Sequence, residues 1–224
     1  GEKIVLRILD RQDARLGLSE IGLSPAQLDQ LTQALEQVRQ GGSQSVAVSG
    51  HAGIGKSALV RGMRNKLRLE GGHFVGGKVD QFQRKLPYSA LTQALEGLSA
   101  TLREQEDDAR PEWIAKLTTA LGEDLTFLQE LVPSLAEWMG QPKVQLPKGL
   151  ATPELRTRFC KATKAFLQLF TQPQAPLVLV LDDLQWADQA TLEVLEQLME
   201  DRNLRSFMLV LTYRDNEVPP HHPL

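Results

Sequence analysis

Gly50-His51-Ala52-Gly53-Ile54-Gly55-Lys56-Ser57 is the stretch that decides how this 224-residue chain folds. It satisfies the spacing GxxxxGK[ST], and each fixed position has a chemical reason. Glycines let the backbone curl tightly with its N–H groups turned inward, and a helix beginning at the lysine adds the positive end of its dipole. Such a turn cradles phosphate. Lys56 is expected to reach the β- and γ-phosphates of a nucleotide, and the Ser57 hydroxyl to ligate Mg2+. The cradle runs from Gly50 through Ala58, with Ala52 and Ile54 at positions the motif leaves open; His51 reads as a filler of another such position. The setting agrees with the motif. An apolar run, SVAVS at 45–49, leads straight into the glycines, and residues 56–69 keep helical spacing until Gly71-Gly72 stops them.

Further along, residues 73–80 read as the next strand. Residues 177–181 (LVLVL) are apolar throughout, as expected of a strand buried on both faces. That run ends in Asp182-Asp183, and an acid at the carboxyl end of a buried parallel strand faces the ligand crevice of an open α/β sheet. Asp182 is expected to hold Mg2+ through water, and Asp183 to orient the attacking water or accept its proton. A solvated or helix-capping acidic pair is the plainer alternative. Asp188 stands where it would cap the helix at 189–199. A second apolar run, 207–211, ends in Thr212-Tyr213-Arg214. An arginine at that strand tip either senses the γ-phosphate and steadies its developing charge or makes a surface ion pair.

Strands alternating with helices, the strands apolar, indicate a parallel α/β sheet. The fold class is therefore a P-loop NTPase of the ASCE type, a parallel sheet flanked by helices. Residues 87–140, with apolar residues at helical spacing, form an insertion of short helices between the strands at 73–80 and 177–181, broken at Pro111 and Pro133. Residues 141–149 read as a loop. Thr152-Pro153 opens a longer helix whose Arg156, Arg158, Lys161 and Lys164 read as a solvated face. Near the start, residues 3–9 suit a strand, and Ser24 opens a helix, with Pro25 at its first position and Gln27 completing a capping box, that carries Leu28, Leu31, Leu35 and Val38. Residues 1–40 thus make an N-terminal strand and helix, and 41–224 the phosphate-loop domain with its insertion at about 87–150.

Composition sets the bounds. Apolar residues make up 42% and charged residues 24%, ordinary for a globular protein. A net charge of −3 gives no electrostatic reason to expect nucleic acid or an anionic membrane as partner. The single cysteine, Cys160, excludes an internal disulfide and suits a reducing cytoplasm, and its helical setting reads as a buried, inert thiol. No apolar run nears the ~18 residues that span a bilayer. The expectation is a cytoplasmic piece of a longer protein, ending at EVPPHHPL without a closing element.

From about residue 31 to 224 the chain resembles the ATPase module of the STAND class found in large bacterial signalling proteins that join a serine/threonine kinase, a sensor region and a histidine kinase. The segments that carry the resemblance are GHAGIGKSALV, GGKVDQFQRKLPYSALTQAL, PLVLVLDDLQWAD and LTYRDNEVPPHHPL. It implies Lys56 and Ser57 in the Walker A role, Asp182 and Asp183 in the Walker B role, Arg214 as sensor arginine, and ATP state acting as a regulatory switch. Lys78, Asp80 and Gln81 match a well-marked family segment whose chemistry the resemblance leaves unassigned. The first 30 residues differ: SEIGLSPAQL stands where that class has a Gly-Arg-Glu element seating adenine. GEKIVLRILDRQDARLGLSEIGLSPAQLDQL instead resembles the entry to the motor domain of type II secretion and type IV pilus ATPases, in which the arginine matching Arg7 approaches the nucleotide.

The STAND resemblance implies a sheet in which the 207–211 strand lies between the loop strand and the Asp182 strand, with a further strand beyond the loop strand. Either that outer place is empty because the fragment is truncated, leaving the loop strand at an edge, or residues 3–9 fill it. The expected function is an ATP-binding, slowly hydrolysing switch whose partners are ATP or ADP, other domains of a signalling polypeptide, and further copies of itself in a nucleotide-dependent manner. A hexameric secretion-type motor subunit and a nucleotide-bound scaffold without hydrolysis are the alternatives.

Overall fold

The computed structural model describes residues 2–7, 25–69, 71–81, 87–141 and 152–218. Five parallel strands form one sheet: β1 (Glu2–Arg7), β2 (Ser43–Ser49), β3 (His73–Lys78), β4 (Leu177–Asp182) and β5 (Phe207–Tyr213). Their order is β1-β2-β5-β4-β3. The outer place beside the loop strand is therefore filled. β1 takes it, in register from Glu2 opposite Gln44 to Arg7 opposite Ser49. β5 lies between β2 and β4, as the implied order has it.

Helices cover both faces. On one lie α1 (Pro25–Arg39) and α2 (Lys56–Leu69), packed on Leu6, Val46, Val48, Val178, Val180, Met208 and Val210. On the other lie α3 (Ser89–Leu102), α4 (Arg110–Leu121), α5 (Asp124–Leu131), α7 (Pro153–Gln168) and α8 (Gln189–Glu200), packed on Val75, Leu177, Leu179, Leu181, Phe207, Leu209 and Leu211. The alternation within LVLVL explains its composition: odd and even residues enter different cores, so neither face tolerates a polar side chain.

The insertion folds as expected, into α3, α4, α5 and the short α6 (Pro133–Trp138). Pro111 and Pro133 each stand in the first turn of a helix, where their missing N–H costs nothing. Thr152 caps α7, its Oγ1 accepting from the Leu155 N–H at 3.4 Å. Asp188 caps α8 in the same way, accepting from the Thr191 N–H at 2.9 Å. The basic residues of α7 are partly solvated, as their spacing suggests, with Lys161 largely exposed, and all four also pair with acids. Arg158 and Lys161 both pair with Asp124 of α5 at 2.7 and 3.2 Å, Arg156 pairs with Glu193 of α8, and Lys164 lies 3.4 Å from Asp201. The row is an ionic seam holding α7 against its neighbours. Ser24, half of the expected capping box, falls outside the described residues; Gln27 donates to the Arg7 carbonyl at 2.8 Å, tying the start of α1 to the tip of β1. The loop expected at 141–149 lies outside them too, save Gln141.

One glycine places α3. At Gly77 an added Cβ would stand 1.8 Å from the Ala90 carbonyl oxygen. Only a bare backbone lets α3 lie this close to β3. Cys160 is buried, and burial pushes its thiol pKa up, in keeping with an inert side chain. Among the described residues no helix is long and apolar enough to cross a membrane.

Candidate functional site

All five strands are parallel, so their carboxyl ends meet along one rim, the place where such sheets hold ligands. Across it run Lys78 of β3, Asp182 and Asp183 at the end of β4, Thr212 to Asp215 at the end of β5, the phosphate loop after β2, and Arg7 of β1. The residues singled out in the sequence are brought together here.

The loop turns through Gly53 and Gly55, whose φ angles of 79° and 110° favour glycine. A Cβ at Gly53 would meet nothing within 4 Å, so conformation, not space, demands glycine there. α2 begins at Lys56, with the Ala58 and Leu59 N–H groups bonded back to the Gly55 carbonyl. Lys56 is buried and folds under the loop, its Nζ donating to the Gly50 carbonyl at 2.6 Å and the His51 carbonyl at 2.9 Å. Burial, then the nearby Arg214 guanidinium, draws its pKa down, while Asp183, Asp182 and Asp215 oppose the shift. Ser57 is exposed at the mouth of the helix.

The two acids are held differently. Asp182 Oδ1 accepts from the Thr212 hydroxyl and, at 3.1 Å, from the Asp183 N–H, and neither bond uses Oδ2. Asp183 has φ 59° and ψ 44°, a left-handed turn that folds its buried carboxylate back across the rim. There Oδ2 lies 3.1 Å from Lys78 Nζ, while Oδ1 accepts from Gln185 Nε2 at 3.2 Å and lies 3.5 Å from Arg214 Nε. Lys78 sits opposite Asp182 in the β3–β4 register, which sets its reach. Arg214 bonds Glu217 at 2.7 Å and stacks its guanidinium 5.0 Å from the centre of the Trp186 ring. Its pKa is raised, chiefly by the Glu217 hydrogen bond. Arg214 thus makes an ion pair, as the plainer reading had it, and at the same time stands beside Asp183.

On the far side of the loop, Arg7 pairs with Asp215 at 3.0 Å, and His51 Nδ1 lies 3.6 Å from the other Asp215 oxygen. Asp215 directly follows Arg214, so the turn after β5 bears one group for each flank of the loop. His51 remains exposed, in keeping with a filler position, and Asp80 and Gln81 follow β3.

Sequence reasoning left Lys78 without chemistry and did not single out Gln185 or Thr212. The signal for Thr212 and Gln185 was placement: one a hydroxyl at the tip of an apolar strand, the other an amide two residues past an acidic pair.

The residues fit a magnesium nucleotide. Turned glycines, a buried lysine and a helix start suit phosphates, while Ser57 and Asp182 offer two hard oxygen donors. Among the described residues no group of three or more His, Cys, Asp or Glu side chains forms a metal site by itself.

The family model of the AAA ATPase domain matches residues 25–211. The chain is also similar to hybrid signal transduction histidine kinase G of Dictyostelium discoideum, at 33% identity over 174 residues. Those residues are 78% of this chain and 5% of that protein, so the chain spans about a twentieth of the length of this relative.

Proposed function

The chain belongs to the AAA ATPase domain family, and from that premise we propose that it binds ATP with Mg2+ at residues 50–58 and hydrolyses it slowly, as a regulatory switch within a larger signalling polypeptide. The observation that carries the reading is the convergence of Lys56, Asp182, Asp183 and Arg214 on one rim around the glycine turn.

Each residue has a part. Backbone N–H groups from Gly50 to Ala58 bind the phosphates, and Lys56 exchanges its loop carbonyls for the β- and γ-phosphate oxygens. Ser57 and Asp182 hold the Mg2+, with Thr212 fixing the Asp182 carboxylate. When bound, that ion offsets charge on the phosphate oxygens. Asp183 orients the attacking water and accepts its proton, and Arg214 steadies charge on the γ-phosphate. Slow turnover follows from the Arg214–Glu217 pair, which must part before the guanidinium reaches the γ-phosphate. Lys78 and Gln185 hold the Asp183 carboxylate in place.

The four segments quoted for the STAND class support the finer assignment to that class, and the histidine kinase relative supports a setting in signalling. On this reading the partners are ATP and ADP, neighbouring domains of the same polypeptide, and further copies that associate when nucleotide is bound. The test is ATP turnover by the purified chain and by Asp183→Asn. Slow hydrolysis lost in the variant, with nucleotide binding kept, supports the reading. Turnover on the order of tens per second, ordinary for an enzyme, contradicts the switch, and equal turnover in the variant contradicts the role of Asp183.

A further inference from the structure

Gln185 is buried in the turn after β4, and the contacts of its side chain fall on functional candidates or their partner. Nε2 donates to Asp183 Oδ1 at 3.2 Å and lies 3.4 Å from Glu217 Oε2, while Oε1 accepts from the Arg214 backbone N–H at 3.1 Å. Both polar ends of one amide are thus used, one on the acid of β4 and the other on the strand tip that presents the arginine. Trp186 adds its ring, 5.0 Å from the Arg214 guanidinium. The left-handed Asp183 makes this possible, because it starts the 310 turn Leu184–Trp186 that drives residue 185 back beneath the rim.

We propose that Gln185 is a positioning residue that locks Asp183 and Arg214 into one unit, so that the water-activating acid and the γ-phosphate arginine are set together. The inference rests on the hydrolytic reading above. A buried amide is suited to the task. It offers a donor to a carboxylate and an acceptor to a main-chain N–H from one rigid plane, and a hydrocarbon of the same size would remove both of these bonds. A carboxylate offers no donor toward Asp183 and adds repulsion from Asp183 and Glu217. Gln185 makes its side-chain hydrogen bonds to Asp183, Glu217 and the Arg214 N–H rather than to residues 50–58. Its loss is expected to act on the chemical step and to spare nucleotide binding.

The experiment compares wild type, Gln185→Leu and the isosteric Gln185→Glu. Three quantities are measured: single-turnover ATP hydrolysis, the Kd for a fluorescent ADP analogue with Mg2+, and the urea unfolding midpoint. Both variants are expected to hydrolyse at least about tenfold more slowly, as misplaced groups do, with Kd within about threefold of wild type. Added to Arg214→Ala, Gln185→Glu is expected to cost much less than it does alone, because the two act through one another. Unchanged hydrolysis in Gln185→Glu overturns the inference, as does full additivity with Arg214→Ala. So does a parallel loss of rate, affinity and unfolding midpoint in both variants, the mark of a merely structural residue. A wild-type chain that binds MgATP but never turns it over overturns the hydrolytic reading and this inference with it; hydrolysis by wild type with no change in the variants overturns the inference alone.

Discussion

Lys78 Nζ lies 3.1 Å from Asp183 Oδ2, linking the tip of an outer strand to the acid proposed to activate water. The lysine is largely exposed while the acid is buried, so the contact orders Asp183 more than it stabilises the fold. Lys78→Met is expected to lower the rate of ATP hydrolysis about tenfold while leaving nucleotide affinity within about threefold. Steady-state kinetics beside a binding titration checks this; a rise in KM with an unchanged kcat would assign Lys78 to binding instead.

Gly77 permits the closest approach of helix to sheet, with the Ala90 carbonyl where a Cβ would have to stand. The three nearest atoms all belong to the Ala90 backbone, so no side chain can swing aside. Gly77→Ala is expected to destabilise the domain by about 3 kcal/mol, the upper range for overpacking. Urea unfolding reads this directly. Because β3 carries Lys78, the same variant should also disturb the Asp183 contact.

The N-terminal strand is part of the sheet and of the core. Leu6 is fully buried against the α1–α2 side, while Arg7, one residue on, is mostly exposed in its pair with Asp215. Leu6→Ala should therefore cost about 3 kcal/mol, as large-to-small core changes do. Arg7→Ala should cost about 1 kcal/mol or less. Equal and negligible losses in both would mean that β1 does not hold its place beside β2.

Much of this arrangement is legible along the chain. The glycine turn, the LVLVL run and its two acids are local patterns, and the parallel sheet follows from strands alternating with helices. What is illegible depends on register between distant strands. Lys78 reaches Asp183 only because β3 pairs β4 with Lys78 opposite Asp182. The place of β1 likewise stayed open between two alternatives, because pairing at a sheet edge leaves little mark on either sequence. The ion pairs of the basic row of α7 were illegible for a related reason: the acidic partners, Asp124, Glu193 and Asp201, come from other parts of the chain.

His73 begins β3 with its ring edge-on to Phe170 at 5.6 Å, and burial lowers its pKa from the ordinary 6.5. The fold therefore favours the neutral ring. Its contribution is complete above pH about 6.5, the unfolded value, and is lost as pH falls through that value toward the lower folded one. Unfolding midpoints measured from pH 7.5 to 5 should fall less steeply for His73→Phe than for wild type. Equal slopes would mean that this ring does not contribute to acid sensitivity.

The central claim is that the loop from Gly50 to Ser57 holds a magnesium nucleotide by its phosphates. Calorimetric titration of the purified chain with ATP, with and without Mg2+, tests it most directly when repeated on Lys56→Ala. The account predicts one site that Mg2+ strengthens and that loses at least about tenfold in affinity without the lysine, the cost of removing a charged hydrogen bond. Equal affinity in Lys56→Ala, or no MgATP binding by a folded wild-type chain, would contradict it.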